Sequence, residues 1–469
     1  FPDTAARVFN YMWQYTNNLR SIYETPMLPI DSYHQTPDRD KVSAILSHAR
    51  TTGRTILTEY ESKQVLSAYY IPTVHTVLAA TSDAAAAAAD EIGYPVVIKL
   101  NSETITHKTD VGGVQLNLKD AAAVRAAFDL IRTNVAAHSS EAYFQGVTVQ
   151  PMVKLDGYEL IIGSSIDPQF GPVLLFGTGG TMVEVFKDSA LSLPPLNTTL
   201  AHRMIDETKI GVALKGVRGR PPVDMKALEQ IMVRFSQLVV EQPWIAEIDI
   251  NPLLTSHEHI IALDARVVTH PVDMTEAELP RPAIRPYPTQ YVSDWALRDS
   301  TKVTIRPIRP EDEPLMVKFH QGLSERTVFL RYLQAMNLSE RTAHDRLSRL
   351  SFIDYDREIA LVVVRRDAST QGEPEIVAVA RLAKLRNANP GNKDTAEYAL
   401  LVSDKYQHQG IGKELMMRIL AIAKDEKIGI IYGFVLEENV EMIALAERLG
   451  FVATPSEREQ ITRVELILA

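Results

Sequence analysis

The sequence predicts a multidomain chain of mixed α/β (α+β) class, on three observations. Its 469 residues are more than one hydrophobic core serves, so two or three domains are expected. From Thr55 to His270, helically patterned segments alternate with short apolar strands. Nearer the C-terminus, Ala396 to Lys413 (AEYALLVSDKYQHQGIGK) runs from an apolar strand through a glycine-containing turn into a helix.

Composition narrows the function classes. A net charge of -10 and a pI near 5.7 argue against a general nucleic-acid binder. No apolar run approaches the roughly 20 residues of a membrane helix, and the first residues lack the basic-then-apolar order of a signal peptide. A cytoplasmic protein with neither a nucleic-acid nor a membrane partner is expected, and self-association is left open. Cysteine is absent, which excludes disulfides, thiolate metal sites and an acyl-cysteine intermediate.

In chain order, Phe1 to Tyr23 is patterned as an amphipathic helix through Val8, Met12, Tyr15 and Leu19. Pro26 and Pro29 end it, and a second helix is expected from about Asp38 to His48. The chain starts at Phe1 in mid-pattern, so residues 1–50 are expected to be the tail of a domain whose body lies upstream.

Residues 51–270 form the first full domain. Thr58 opens a helix, Ile71-Pro72 starts an extended segment, and Ser82 or Asp83 is expected to cap the alanine run Ala84 to Ala89. Gly93 to Leu100 reads as a buried strand interrupted by Lys99, and a lysine there is costly unless it meets an anion. His107 to Val114 is a polar, glycine-ended loop suited to phosphate. Gln150-Pro-Met152-Val153, Glu159, the glycine turn after Phe176, Asn251 and Asp264 follow. Such hard oxygen donors suit Mg²⁺ held partly by nucleotide phosphates.

As a set these motifs resemble the ATP-grasp domain of ADP-forming acyl-CoA synthetases, and the upstream tail would then be CoA-ligase-like. The resemblance implies that Lys99 meets ATP phosphates and that Gln150, Met152, Val153 and Glu159 border the nucleotide. It also implies that Asn251 and Asp264 hold Mg²⁺ and that His107 handles phosphate. In that family a phosphohistidine on a separate domain shuttles phosphate between sites. That domain is not found in this sequence, so nucleotide or acyl-CoA sensing is expected at least as much as catalysis.

Residues 271–297, with Pro280, Pro282, Pro286 and Pro288, read as a stiff linker. A second domain, 298–469, opens with strand Val303 to Ile308 and an acidic helix start at Pro310. Helices over Glu325 to Leu333 and Ser339 to Leu350 follow. Strands Ile359 to Arg365 and Ile376 to Leu385 are expected to pair antiparallel, with Ala396 to Val402 added to them.

The turn Gln407-His408-Gln409-Gly410-Ile411-Gly412, followed by Lys413, sets backbone N–H groups at a helix start, where partial positive charge favours phosphate. Its glycines let a pyrophosphate approach the backbone. Gln-x-x-Gly-x-Gly between strand and helix, with Asn439 to Phe451 downstream, resembles the acetyl-CoA loop of GNAT N-acetyltransferases, whose sheet is mixed and mainly antiparallel.

An amine attacks a thioester only as the free base, although a lysine pKa is about 10.4. A general base is therefore needed. Glu397, the acid near the start of the strand beside the acetyl group, is the candidate, with Ala396, Tyr398 and Ala399 around it to desolvate it. The resemblance adds an oxyanion donor from the backbone of Leu401 or Val402, and a hydrogen bond from Asn439 to the pantetheine arm. One position departs: where many GNAT enzymes carry a tyrosine for the leaving thiolate, this chain has Ala446, and neither Tyr398 nor Tyr406 can be oriented from sequence.

The acyl-CoA-synthetase-like segment joined to a GNAT domain, with Arg306 to Pro314 and Leu323 to Arg331, resembles the bacterial Pat-type protein lysine acetyltransferases. This implies a lysine on another protein as acceptor, with AMP-forming acyl-CoA synthetases the typical targets. Two alternatives stand beside it: a small-amine acetyltransferase, and an ADP-forming ligase fragment with a regulatory acyl-CoA-binding module.

Overall fold

The computed structural model describes residues 2–22, 24–28, 36–105, 108–138, 140, 143–154, 156–180, 188–217, 220–366, 373–385, 394–456 and 460–468. By their contacts the residues form two compact units. One is Met27–Ile284; the other joins Phe1–Pro26 to Arg285–Ala469.

The first unit holds two antiparallel sheets. The smaller has the order β1-β4-β2-β3, with β1 Val77–Ala79, β2 Val96–Leu100, β3 Val114–Leu118 and β4 Val147–Pro151. Helices Ser82–Ile92 and Ala121–His138 cover it through an alanine-rich interface that includes Ala85, Ala89, Val124 and Ile131. The alanine helix is capped by Thr81, whose hydroxyl accepts from Ala84 N at 3.2 Å, rather than by Ser82 or Asp83. Thr81 has the extended backbone of an N-cap, and Ser82 is already helical.

The larger sheet has the order β10-β8-β5-β6-β7, with β9 on β8. Its strands are β5 Tyr158–Asp167, β6 Gly171–Thr178, β7 Ser189–Ser192, β8 Ile245–Thr255, β9 Ile260–Ala262 and β10 Ala265–Thr269. Helices Arg39–Thr51, Glu59–Ala68, Thr198–Asp206 and Met225–Glu241 contribute buried side chains to its core. The Glu59–Ala68 helix starts on a capping box: Thr58 Oγ1 accepts from Glu61 N at 3.2 Å, and the Glu61 carboxylate accepts from Thr58 N at 2.8 Å. That box sets Glu59 in the first helical turn.

The second unit is built on an eight-stranded mixed sheet, order β11-β12-β13-β14-β15-β16-β18-β17. Its strands are β11 Ser293–Ala296, β12 Lys302–Pro307, β13 Glu358–Arg365, β14 Glu375–Leu385, β15 Thr395–Val402, β16 Ile430–Leu436, β17 Val452–Pro455 and β18 Ile461–Ile467. Every pair is antiparallel except β15 with β16. Alternation along the strands sends two apolar sets to two faces. Helices Ile411–Asp425 and Val440–Arg448 pack on one, and helices Glu313–Gln321, Glu325–Tyr332 and His344–Ser351 on the other.

Three local expectations change. Ser339 to Leu350 is two helices, Leu338–Arg341 and His344–Ser351, because Ala343 takes an extended backbone between them and Thr342 Oγ1 binds the Leu338 carbonyl at 2.7 Å. The helix Pro2–Ile22 forms, but Val8, Met12 and Tyr15 of its apolar stripe are exposed. The proline-rich segment is packed: Leu279 and Tyr287 are buried, and the Tyr287 hydroxyl donates to Pro307 O at 2.8 Å. Residues 24–26 join the second unit through Thr25, whose N–H donates to the Glu311 carboxylate at 2.9 Å, and Pro26, whose carbonyl accepts from Tyr287 N at 2.9 Å.

Glu426 ties the second unit together. Its carboxylate accepts from Arg285 at 3.0 Å, Lys384 at 2.8 Å and the Tyr291 hydroxyl at 3.2 Å. Burial alone would raise its pKa, but the hydrogen bonds from Arg285 and Lys384 bring it down to about 2. A carboxylate with a folded pKa below its unfolded value of about 4.3 stabilises the fold above that pH and loses the contribution as pH falls toward 2. Glu426→Gln is therefore expected to cost on the order of 2–3 kcal/mol near pH 7. In denaturant titrations the gap to the parent chain should persist down to about pH 5 and narrow progressively as pH falls from about 4.3 toward 2.

Candidate functional site

The site in the second unit begins where a ladder stops. β15 pairs with β14 along its whole length, from Thr395 to Val402. With β16 it pairs only at Thr395, Ala396 and Glu397. β16 itself runs antiparallel to β18 from Ile430 to Leu436, so it departs from β15 beyond Tyr432. A fork results, with the backbone of Tyr398 to Val402 along one prong. The fork opens into a cavity of roughly 1280 Å³, larger than the ~300–1,000 Å³ usual for small ligands.

At the mouth stands the Gln407–Gly412 turn. His408 and Gly410 have φ of 61° and 87°, in the left-handed region that glycine tolerates best. Gly410 is the N-cap of the Ile411–Asp425 helix and offers no side-chain cap. The first N–H groups of that helix are thus left for an anion. A Cβ on Gly412 would meet Leu400 and Leu445 only at ordinary contact distances of 3.5 and 3.6 Å, so the space this glycine leaves matters to a ligand and not to the fold. Arg298, which sequence reasoning missed, donates to the His408 carbonyl at 3.0 Å and lines the cavity. It comes from the turn between β11 and β12, far from the glycine motif in sequence, and nothing in its own neighbourhood signals the role.

Most of the sequence-predicted residues meet here. Glu397, Leu401, Val402, Gln407, His408, Gly410, Ile411, Gly412, Lys413 and Asn439 line the cavity; Gln409 does not. Gln407 Nε2 reaches the Val402 carbonyl at 3.3 Å. The Asn439 side chain caps the closing helix, accepting from Met442 N at 3.3 Å, which leaves its amide N–H groups for a ligand. Ala446 is fully buried in the core. Tyr406 is turned to Glu375 and Arg365, at 2.9 and 2.8 Å.

Glu397 is half-buried at the root of the fork. Arg331, another residue missed by sequence, lines the same cavity. Burial holds Arg331 below the usual arginine range, Arg381 and Arg346 add to this, and Tyr332 and Glu397 act in the opposite sense. Close by, His320 is buried with both ring nitrogens unpartnered. Burial and the arginines Arg346, Arg341, Arg331 and Arg381 bring it down to about 3, so it is neutral at physiological pH.

In the first unit Lys99 does meet an anion. The buried Glu59 carboxylate accepts from Lys99 at 2.8 Å, Lys63 at 2.7 Å, Gln150 at 2.9 Å, and from Lys108. Burial opposes its charge, but Lys99, Lys108 and Lys63 hold it well below the carboxylate range. Burial also lowers Lys63, to about 8, while Lys99 is raised against burial by Glu59 and Asp264. Asp264 lies 3.9 Å from Lys99 and is pushed up by burial and by Glu59.

Asn251 Oδ1 accepts from Gly180 N at 2.8 Å, and a Cβ on Gly180 would come within 1.9 Å of Glu159 Oε2, so Asn251 and Glu159 hold the glycine turn between them. Met152 N donates to Pro95 O at 2.9 Å, placing Met152 and Val153 just past β4. His107 lies outside the described residues. Among the described residues no group of three or more Asp, Glu, His or Cys side chains forms a metal cage. A hard cation taking one or two protein oxygens plus phosphate oxygens does fit Asn251 and Asp264, whose raised pKa a cation would relieve.

Comparison with known proteins assigns both units. The ATP-grasp domain model matches residues 48–269, and the Acetyltransferase (GNAT) family model matches residues 329–451. The β subunit of acetate–CoA ligase [ADP-forming] I from Pyrococcus furiosus is 40% identical over 228 residues, which span 49% of this chain and 97% of that subunit. Acetyl-coenzyme A synthetase 1 of Ca. Korarchaeum cryptofilum, solved with coenzyme A, Ca-AMPCP and HgCl⁺, aligns with 40% identity over 48% of this chain and 99% of its own, at a TM-score of 0.47. The GNAT domain of S. lividans PAT aligns over 39% of this chain and 99% of its own, with 24% identity and a TM-score of 0.34. Through its first unit the chain belongs to the ATP-grasp family of ADP-forming acyl-CoA ligase β subunits, and it carries a GNAT acetyltransferase domain after it.

Proposed function

We propose that the chain transfers the acetyl group of acetyl-CoA to the ε-amine of a lysine on another protein, and that its ATP-grasp unit binds ATP with Mg²⁺ and regulates the transfer. The observation that carries this reading is the β15–β16 fork, with one carboxylate at its root and an uncapped helix N-terminus at its mouth.

The chemistry follows from that geometry. The pyrophosphate takes the first N–H groups of the Ile411–Asp425 helix, with Arg298 and Lys413 adding positive charge. The pantetheine arm enters the fork, replacing the missing ladder partners of β15 and reaching the Asn439 amide. The thioester then lies beside Glu397, which takes one proton from the lysine ammonium and passes it to solvent. The free amine attacks the carbonyl carbon, and its nitrogen gives up a second proton to the same carboxylate as the intermediate collapses. A backbone N–H of Leu401 or Val402 meets the oxyanion. The C–S bond breaks and CoA leaves. With no cysteine in the chain, the acetyl group passes directly between two bound partners.

An acyl-CoA-ligase-like unit joined to an acetyltransferase favours a protein acceptor of the AMP-forming acyl-CoA synthetase class, as the Pat-type resemblance implies, and no nucleic-acid or membrane partner. In the ATP-grasp unit Lys99, Lys63 and Lys108 would share their charge with nucleotide phosphates, bordered by Gln150, Met152, Val153 and Glu159. Asn251 and Asp264 would hold Mg²⁺, which supplies neutralisation of phosphate charge when bound.

A second reading, retained ligase chemistry, is favoured by the 40% identity to a ligase β subunit. ADP formation from ATP, acetate and CoA by the full chain would favour it over a regulatory role.

Glu397→Gln keeps size and hydrogen bonding but cannot accept the proton. Steady-state assays should show kcat reduced about 10²-fold or more with acetyl-CoA affinity nearly unchanged; a loss below about threefold at pH 7 would assign the base elsewhere. For the other unit, Mg-ATP should raise the melting temperature of the parent chain and leave that of Lys99→Ala unmoved. An equal rise in both would count against nucleotide binding through Lys99.

A further inference from the structure

The Glu325–Tyr332 helix lies against β15 and β16, over the face of β15 that carries Glu397, Ala399 and Leu401. Near the start of that helix Thr327 Oγ1 accepts from Gln407 Nε2 at 3.4 Å, so this end stands at the glycine turn. Arg331 is four residues on, roughly 6 Å further along the same side of the helix. It lines the cavity and feels the charge of Glu397, which sets it at the reacting end and away from the turn.

Arg331 is half-buried and, among the described residues, has no hydrogen-bond or ion-pair partner. Its guanidinium lies 4.9 Å from the centre of the Tyr332 ring, and that of Arg346 lies 4.7 Å from the same ring. Arg346 also donates to the Arg341 carbonyl at 3.0 Å. Arg341 is buried, with Nε and Nη1 unpartnered. Arg381, opposite Ala399 in the β14–β15 ladder, donates to the Leu350 carbonyl at 3.0 Å and pairs with Glu358. All four arginines bear on the buried, neutral His320.

Among the described residues, Glu358 is the carboxylate that contacts this group, and Glu397 acts on Arg331 without forming an ion pair. Positive charge is therefore left over. A partly desolvated guanidinium without a counter-ion is costly, and Arg331 is the member of the group that the cavity reaches.

The cofactor does not supply the missing anion. Its pyrophosphate belongs at the glycine turn, and the pantetheine arm, thioester and acetyl group are uncharged. An anion at Arg331 must come with the acceptor. On a protein that anion is an Asp or Glu carboxylate, which the planar guanidinium fork receives through two hydrogen bonds. Such a carboxylate would also offset the repulsion that the arginines exert on the acceptor's own ammonium group.

We propose that Arg331 sets acceptor specificity, its guanidinium receiving the carboxylate of an acidic residue that flanks the target lysine. The proposal rests on the acetyl-transfer reading above and names the kind of lysine that reading would serve.

The test needs no turnover. CoA is joined from its sulfur, through an acetyl bridge, to the lysine Nε of the peptide Gly-Glu-Lys-Glu-Gly or of Gly-Gln-Lys-Gln-Gly. Calorimetry then compares the two conjugates on the full chain, in the parent and in Arg331→Gln. In the parent the glutamate conjugate should bind about tenfold tighter or more. In Arg331→Gln the ratio should fall to about one, with Arg331→Lys between the two and plain CoA binding all three proteins alike. Equal affinities for the two conjugates in the parent would overturn the proposal, a result that needs no variant and leaves the acetyl-transfer reading standing. A preference that survives in Arg331→Gln, or a loss of plain CoA affinity in that variant, would overturn it too. Conjugates that both bind no tighter than CoA itself would overturn the proposal together with the transfer reading.

Discussion

β16 cannot follow two neighbours at once. Its pairing with β18 runs from Ile430 to Leu436, while its parallel pairing with β15 ends at Glu397. Backbone N–H and C=O groups left without a ladder partner need some other partner, and here they face a cavity. The divergence therefore creates a slot lined by hydrogen-bonding backbone, shaped to take an extended, amide-containing arm in the place of a strand. Everything else in the second unit is arranged around that slot. Gly410 ends the turn without a side-chain cap, and Arg298 braces the turn from the other side.

The ATP-grasp unit solves a comparable problem with charge. Three lysines brought together would repel, and burial would drive protons off them, as the lowered Lys63 shows. Glu59 holds them as an internal counter-anion, and the capping box of Thr58 and Glu61 holds Glu59 in place. Arriving phosphates would meet a cluster already assembled, with the ordering cost met during folding. Asp264, repelled by Glu59, is the complementary element: a carboxylate whose charged form a cation would favour.

Much of this could be read from sequence because it is local. The strand–turn–helix around Gly410 and the lysine in an apolar strand each follow from short patterns. What could not be read depends on contacts distant in sequence. Arg298 reaches the turn from another strand connection, and Glu59 looked like an ordinary residue of a helix start until Lys99, Lys108 and Gln150 folded onto it. Tyr398 could not be oriented before its ring met Phe451 and the Gly433 backbone. Helix ends went astray where two residues competed: Thr81 outranks Ser82 as the cap, and Thr342 with Ala343 breaks a helix that periodicity alone would continue.

The central claim is that the fork delivers acetyl groups to lysine on another protein. Mass spectrometry of an AMP-forming acyl-CoA synthetase, incubated with the full chain and acetyl-CoA, tests it most directly. The account predicts acetyl-lysine on that acceptor, dependent on the chain, with no acetyl group held covalently by the chain during turnover. An unmodified acceptor in the presence of bound acetyl-CoA, or an acetylated chain that passes its label onward, would contradict it.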